Sequence, residues 1–232
     1  MLKRWYTPTI YKGWEQITKS DPAKDGFNME PTKDYMKEMG PMVGCAVTAK
    51  IQPSKQDLVP DKPHAWSEYR EYVAGVEGPK IVVVQDCDKP NLVGAFWGEV
   101  NSNIHRLLDC VGTIIDGAIR DLDEMKNAGF KALARGMCVG HAYSVPVEWG
   151  GDFEVSGRSV VSGQLFHADK HGFMAIPSED EKGLLERSIF MDENECDTVM
   201  RSARSNIGKT TRAILDSIND AVSKRFGSPG KW

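Results

Sequence analysis

The sequence predicts an α/β fold for its 232 residues. Apolar runs near 44–52, 81–86, 93–97 and 112–116 alternate with stretches of helical spacing. That alternation is the signature of strands exchanging with helices around one core. From 145 to 177 the pattern changes to short strands separated by glycine turns, with no helical spacing, which predicts a β-rich half packed on the first.

Residues 1–40 predict an extension with a helix over 10–18 and a loop over 21–26, closed by Gly40-Pro41. Trp66, Tyr69 and Val73 share a helical face over 64–74, with Gly75 as C-cap. Val93-Gly94-Ala95-Phe96-Trp97 reads as a strand ending at Gly98, and Ile104, Leu107 and Leu108 mark the apolar face of the helix that follows. Gly112-Thr113-Ile114-Ile115 reads as a buried strand ending in an Asp116-Gly117 loop, which delivers Arg120 and Asp121. A helix over 122–128 is stopped by Gly129, and Ala132 starts another strand. Ile207, Ile214, Ile218 and Val222 predict a C-terminal helix ended by 227–230. Its apolar stripe packs either on its own domain or on a neighbouring subunit.

The balance of 29 basic against 33 acidic residues argues against a nucleic-acid partner. No apolar run approaches the ~20 residues of a membrane helix, and the first residues lack a signal-peptide core, so a cytoplasmic protein without a membrane partner is expected. Cys45, Cys87, Cys110, Cys138 and Cys196 are odd in number and never paired as Cys-x-x-Cys. Buried free thiols are expected instead of disulfides or a zinc site.

Gly98-Glu99-Val100-Asn101 and Arg120-Asp121 form the candidate site. A helix beginning after Gly98 offers free backbone N–H groups to an anion. A guanidinium suits a carboxylate, and an adjacent aspartate suits a hard divalent cation. The plainer reading makes Asp121 an N-cap and Glu99 a helix-start charge. His167, Asp169 and His171 could converge as ligands on a strand, but Asp-Lys-His-Gly over 169–172 fits a hairpin turn better. His105 is expected on a solvated helix face, and His64 and His141 have no recognisable partner. Segment 203–210 misses a phosphate-binding loop by its leading alanine. No hydrolase elbow, zincin motif or dinucleotide loop is present.

These motifs, with segments 40–48, 80–86 and 165–177, resemble the family of 4-hydroxy-4-methyl-2-oxoglutarate/4-carboxy-4-hydroxy-2-oxoadipate aldolases, which also holds the RraA-like (regulator of ribonuclease activity A-like) proteins. The resemblance covers roughly 40–180. It implies a single layered β/β/α swivelling-type domain over 41–190, between the extension 1–40 and a C-terminal helical segment 191–232. It also implies a lyase, an aldolase or decarboxylase, with magnesium or manganese on Asp121. Arg120 would contact the substrate carboxylate and enolate oxygen, and the amides of 98–101 would hold the carboxylate. Glu99 stands where the family usually has aspartate. The implied reaction is retro-aldol cleavage or decarboxylation of a 2-oxo acid, with Glu193 or Glu195 of an adjacent subunit as candidate helpers. A homotrimer or homohexamer is implied. The family's other branch implies a protein-binding regulator, and a lyase or hydratase acting on a sugar acid also remains open.

Overall fold

A computed structural model describes residues 1–205 and 208–226, with side chains described up to residue 223. A 3-10 turn (Leu2–Arg4) leads into α1 (Thr7–Glu15), β1 (Lys33–Asp34), a second 3-10 turn (Lys37–Met39) and β2 (Met42–Ile51). Then come α2 (Lys62–Gly75), β3 (Lys80–Asp86), β4 (Ala95–Trp97), α3 (Glu99–Leu107), β5 (Cys110–Ile119), α4 (Leu122–Asn127) and β6 (Lys131–Met137). The β-rich half is β7 (Pro146–Trp149), β8 (Phe153–Val155), β9 (Arg158–Val160), β10 (Leu165–Asp169) and β11 (Gly172–Ile176). α5 (Ser178–Glu195), a π-helical stretch (Cys196–Met200), α6 (Arg201–Ser205) and α7 (Thr211–Phe226) follow.

The main sheet runs β1-β6-β5-β3-β2-β10-β11, with β4 on β5 and β7 on β2. The pairs β2–β3, β3–β5 and β5–β6 are parallel, so the crossover helices must lie on the sheet's faces. Alternate residues of β3 enter different cores. Val82 and Val84 pack with Tyr69 and Val73 of α2, whereas Ile81 and Val83 pack with Val155 and Val160 of the β8–β9 hairpin. A sheet covered by helices on one face and a hairpin on the other is the β/β/α layering expected.

Elements start where local chemistry fixes them. Pro8 in the first turn starts α1 at Thr7, earlier than the predicted residue 10, and Ile10 and Trp14 are buried against Met174, Ile176 and Leu184. Asp61 caps α2 by accepting from the His64 amide at 3.1 Å. That helix runs through Gly75 and is capped by Val76 in extended conformation, so Gly75 is not its C-cap. β5 also corrects the prediction: it continues through Asp116-Gly117 to Ile119, so the strand itself delivers Arg120. Nothing in the sequence pattern announced α5. It packs along α1, where a Cβ on Gly13 would sit 2.7 Å from Ser188 Oγ.

The N-terminal extension is stitched into the sheet. β1 pairs antiparallel with β6, and the fully buried Lys131 Nζ lies 2.6 Å from Asp34 Oδ2 while donating to the Met36 carbonyl at 3.0 Å. At the other end, Ile214, Ile218 and Val222 are half-buried and Ala221 is buried, with α7 packed on α6 and the π-helical stretch of its own chain. Ile207 and 227–230 lie outside the described residues, as does part of the 203–210 near-match. Of the thiols only Cys110 is buried. Cys45, within β2, and Cys138, just past β6, are half-buried, while Cys87, just past β3, and Cys196, opening the π-helical stretch, are exposed. All five are free. No helix among the described residues is long and apolar enough to cross a membrane.

Candidate functional site

The site forms where β4 and β5 end side by side, with Ala95 opposite Ala118 and Trp97 opposite Ile119. Gly98 caps α3, and Asp121 precedes α4 in left-handed conformation with φ 54° and ψ 51°. Aspartate tolerates that region better than most residues, and such strained positions collect at functional sites. The turn carries the Asp121 carboxylate back to the first turn of α3, where Oδ2 accepts from the Glu99 amide at 3.1 Å. Arg120 Nε lies 3.6 Å from the same oxygen, and Nη1 donates to the Val139 carbonyl at 3.1 Å. A Cβ on Gly98 would sit 2.5 Å from Asp121 Oδ2 and 3.3 Å from Arg120 Nε. A side chain at this position would displace the Asp121 carboxylate from the Glu99 amide.

Capping by Asp121 uses one amide of α3, and Ser102 N bonds Gly98 O at 3.1 Å. Among the described residues the amides of Val100 and Asn101 have no acceptor, the state expected at a helix start. The Asn101 side chain is turned inward, donating to the Phe96 carbonyl at 3.0 Å, so only its backbone is available. Glu99 is exposed, and its carboxylate meets no described partner. Gly98, Arg120 and Asp121 are thus in contact, whereas Glu99 and Val100 flank them through the backbone.

His105 corrects the expectation of a solvated histidine. It is fully buried, donating through Nδ1 to the Asn101 carbonyl at 2.7 Å with Nε2 3.0 Å from the Tyr69 hydroxyl. Burial pushes its pKa down to about 4. The inward face of α3 is Ser102 and His105, while Leu107 of the predicted apolar face is exposed. This polar anchor holds α3 and therefore the direction of its free amides. No group of three or more His, Cys, Asp or Glu side chains among the described residues could hold a metal. His167, Asp169 and His171 accordingly form no ligand cluster, and 170–171 turn between β10 and β11.

Sequence reasoning missed a second polar cluster one layer below. Asp116 Oδ1 accepts from the Asp86 amide at 2.7 Å, and Lys89 Nζ lies 3.5 Å from Asp116 Oδ2 and 3.0 Å from Glu30. Asp86 and Asp116 are both buried, and Asp86 Oδ2 has no hydrogen-bond partner. The available signal was an acid closing each of two apolar runs of the sequence, 81–86 and 112–116. Burial, reinforced by the neighbouring carboxylates, pushes Asp86 up to about 7. A raised carboxyl pKa makes the folded state hold its proton more tightly than the unfolded chain. The associated stability is complete below pH ~4 and is lost as pH rises toward ~7. Asp86→Asn is therefore expected to be more stable than wild type at pH 8 by on the order of 3 kcal/mol, and indistinguishable near pH 4. Urea unfolding at both pH values checks this, and no gain at pH 8 would contradict it.

Comparison with known proteins places this architecture. The uncharacterized protein from Pseudomonas syringae pv. tomato superposes with a TM-score of 0.67 at 18% identity, covering 90% of this chain and 89% of that one. Streptomyces coelicolor RraAS2, described as an unusual member of the RNase ES inhibitor RraA protein family, superposes with a TM-score of 0.62 at 17% identity, covering 84% and 90%. Protein DlpA of Legionella pneumophila (strain Philadelphia 1) is 20% identical over 165 residues, 70% of this chain. The chain spans only 25% of the length of that relative. The model of the RraA-like family, Aldolase/RraA, matches residues 15–175, starting well inside the segment assigned to the extension, and the chain belongs to that family.

Proposed function

We propose that the chain is a divalent-metal-dependent lyase that cleaves or decarboxylates a 2-oxo acid through a pyruvate-enolate-like intermediate. The observation carrying this reading is the convergence of Arg120, Asp121 and the unpaired α3 amides on Gly98. The amides of Val100 and Asn101 bind the substrate carboxylate. Arg120 aims a fixed positive charge at the oxygen that becomes negative as the bond to C3 or C4 breaks. Preorganised charge of this kind usually lowers the barrier more than any other single effect.

The donor set fits magnesium or manganese. Asp121 Oδ1 meets no described protein group, and a carboxylate on a partly exposed side chain suits a hard cation that keeps most of its waters. Asp121 would hold that ion, and the exposed Glu99 would orient one of its waters. When bound, the cation supplies Lewis-acid polarisation of the oxo group. A homotrimer or homohexamer is part of the same proposal. A purely protein-binding role, the alternative raised by the RraA relatives, gives no reason for a carboxylate held in strained backbone beside the arginine.

Asp121→Ala is expected to abolish cation-dependent turnover of oxaloacetate and to weaken manganese binding in a protein that still folds, the lost α3 cap costing roughly 1–2 kcal/mol. Undiminished turnover with added magnesium would refute the assignment.

A further inference from the structure

A second site lies at the far edge of the sheet. Arg120 directly follows β5, whereas β10 and β11 lie beyond β3 and β2 in strand order. Between α1 and the β10–β11 hairpin opens a cleft of about 310 Å³, lined by Thr7, Pro8, Tyr11, Phe27, His171 and Phe173 among others. That volume is at the lower end of the range for small-molecule sites, roughly 300–1,000 Å³. Its aromatic wall is Tyr11, edge-on to Phe27 at 5.8 Å, whereas the Phe173 ring is buried in the other core and stacks on Phe166.

One polar group stands out against these walls. Asp169 is buried, and its carboxylate accepts from the amides of Thr7 and His171 and lies 2.9 Å from His171 Nδ1. Burial works against ionisation, but those donors outweigh it and hold the carboxyl below the usual carboxylate range. The pairing fixes the imidazole through Nδ1 and leaves Nε2 with no partner among the described residues, on a ring that lines the cleft. A histidine oriented by a buried carboxylate presents its other nitrogen in a defined direction. Positive charge gathers beside it: Lys170 Nζ sits 4.2 Å from the centre of the Tyr6 ring, which itself meets His171 edge-on at 5.7 Å.

We propose that this cleft is a second small-molecule site that takes an aromatic carboxylic acid, the ring lying against Tyr11 and Phe27 and the carboxylate meeting His171 Nε2 and Lys170. Aromatic walls favour offset or edge-on ring contacts. With Asp169 on one nitrogen, the imidazole donates to a carboxylate from the other once a proton arrives with the acid, and the nearby ammonium complements the same charge. Nothing in this cleft resembles a nucleophile aligned with the histidine, because the Thr7 hydroxyl is engaged with His167 Nδ1 at 2.9 Å. The site binds and does not cleave.

The test is ligand-observed fluorine NMR with para-fluorobenzoate on the whole protein. Saturable binding is expected in wild type and equally in Arg120→Ala, which removes the anion partner of the other site. His171→Phe should weaken it about ten- to a hundredfold, the loss of one charge-assisted hydrogen bond. The neutral para-fluorobenzyl alcohol should bind wild type more weakly by a similar factor. Absence of saturable binding, loss of binding in Arg120→Ala, no effect of His171→Phe, or equal binding of the alcohol would each overturn the proposal.

Discussion

Replacing Arg120 with lysine is expected to lower turnover about ten- to over a hundredfold although the charge is kept. Arg120 does two things with one planar group. Nη1 is anchored on the Val139 carbonyl at 3.1 Å, and Nε lies 3.6 Å from Asp121 Oδ2, which leaves the rest of the fork to face a substrate oxygen. A lysine ammonium is a point charge on a flexible stem and cannot hold the anchor and the substrate together. The lysine variant should still bind manganese, because Asp121 is untouched. Steady-state kinetics on the substrate that the wild type turns over checks this, and wild-type turnover would show that the arginine is structural.

The largest stability effect is expected at Asp34. In Asp34→Ala the Lys131 ammonium stays buried with only the Met36 carbonyl as partner. Removing one member of a buried ion pair destabilises by about 3–5 kcal/mol. The pairing is also the main polar tie between the N-terminal extension and the β6 edge, so β1 should detach first. Replacing both residues with apolar ones, as in Asp34→Leu/Lys131→Met, should recover most of the loss, since no charge is then stranded. Urea unfolding of the two variants measures both effects. A loss below about 1 kcal/mol in Asp34→Ala would mean that the ammonium finds water or another acceptor.

The strands were legible because their residues are apolar without interruption, as in Ile81-Val82-Val83-Val84, and a sheet buried on both faces demands that pattern. The site loops were legible for a related reason. Gly98 ends one such run, and Arg120-Asp121 follow the next, so polar residues stand out where the strands stop. The features that stayed hidden depend on partners remote in sequence. His105 looked like a surface residue because its burial rests on Tyr69 from another helix. Asp116-Gly117 looked like a turn because local propensity favours one. The strand continues there because Gly117 leaves room for Asp86, whose Oδ2 would lie 2.5 Å from any Cβ. The Asp34–Lys131 pair joins residues 97 apart in the chain, and no periodicity within either segment could announce it.

If Gly98, Arg120 and Asp121 form a cation-dependent centre for breaking bonds next to a 2-oxo group, pyruvate is the product to look for. Its release from a panel of 4-hydroxy-2-oxo acids and oxaloacetate should be measured with magnesium or manganese, and again after chelation. At least one member of the panel is expected to yield pyruvate, chelation to silence the reaction, and restored cation to recover it. Absence of pyruvate from every member with either cation present, or turnover that survives chelation unchanged, would contradict the proposed centre.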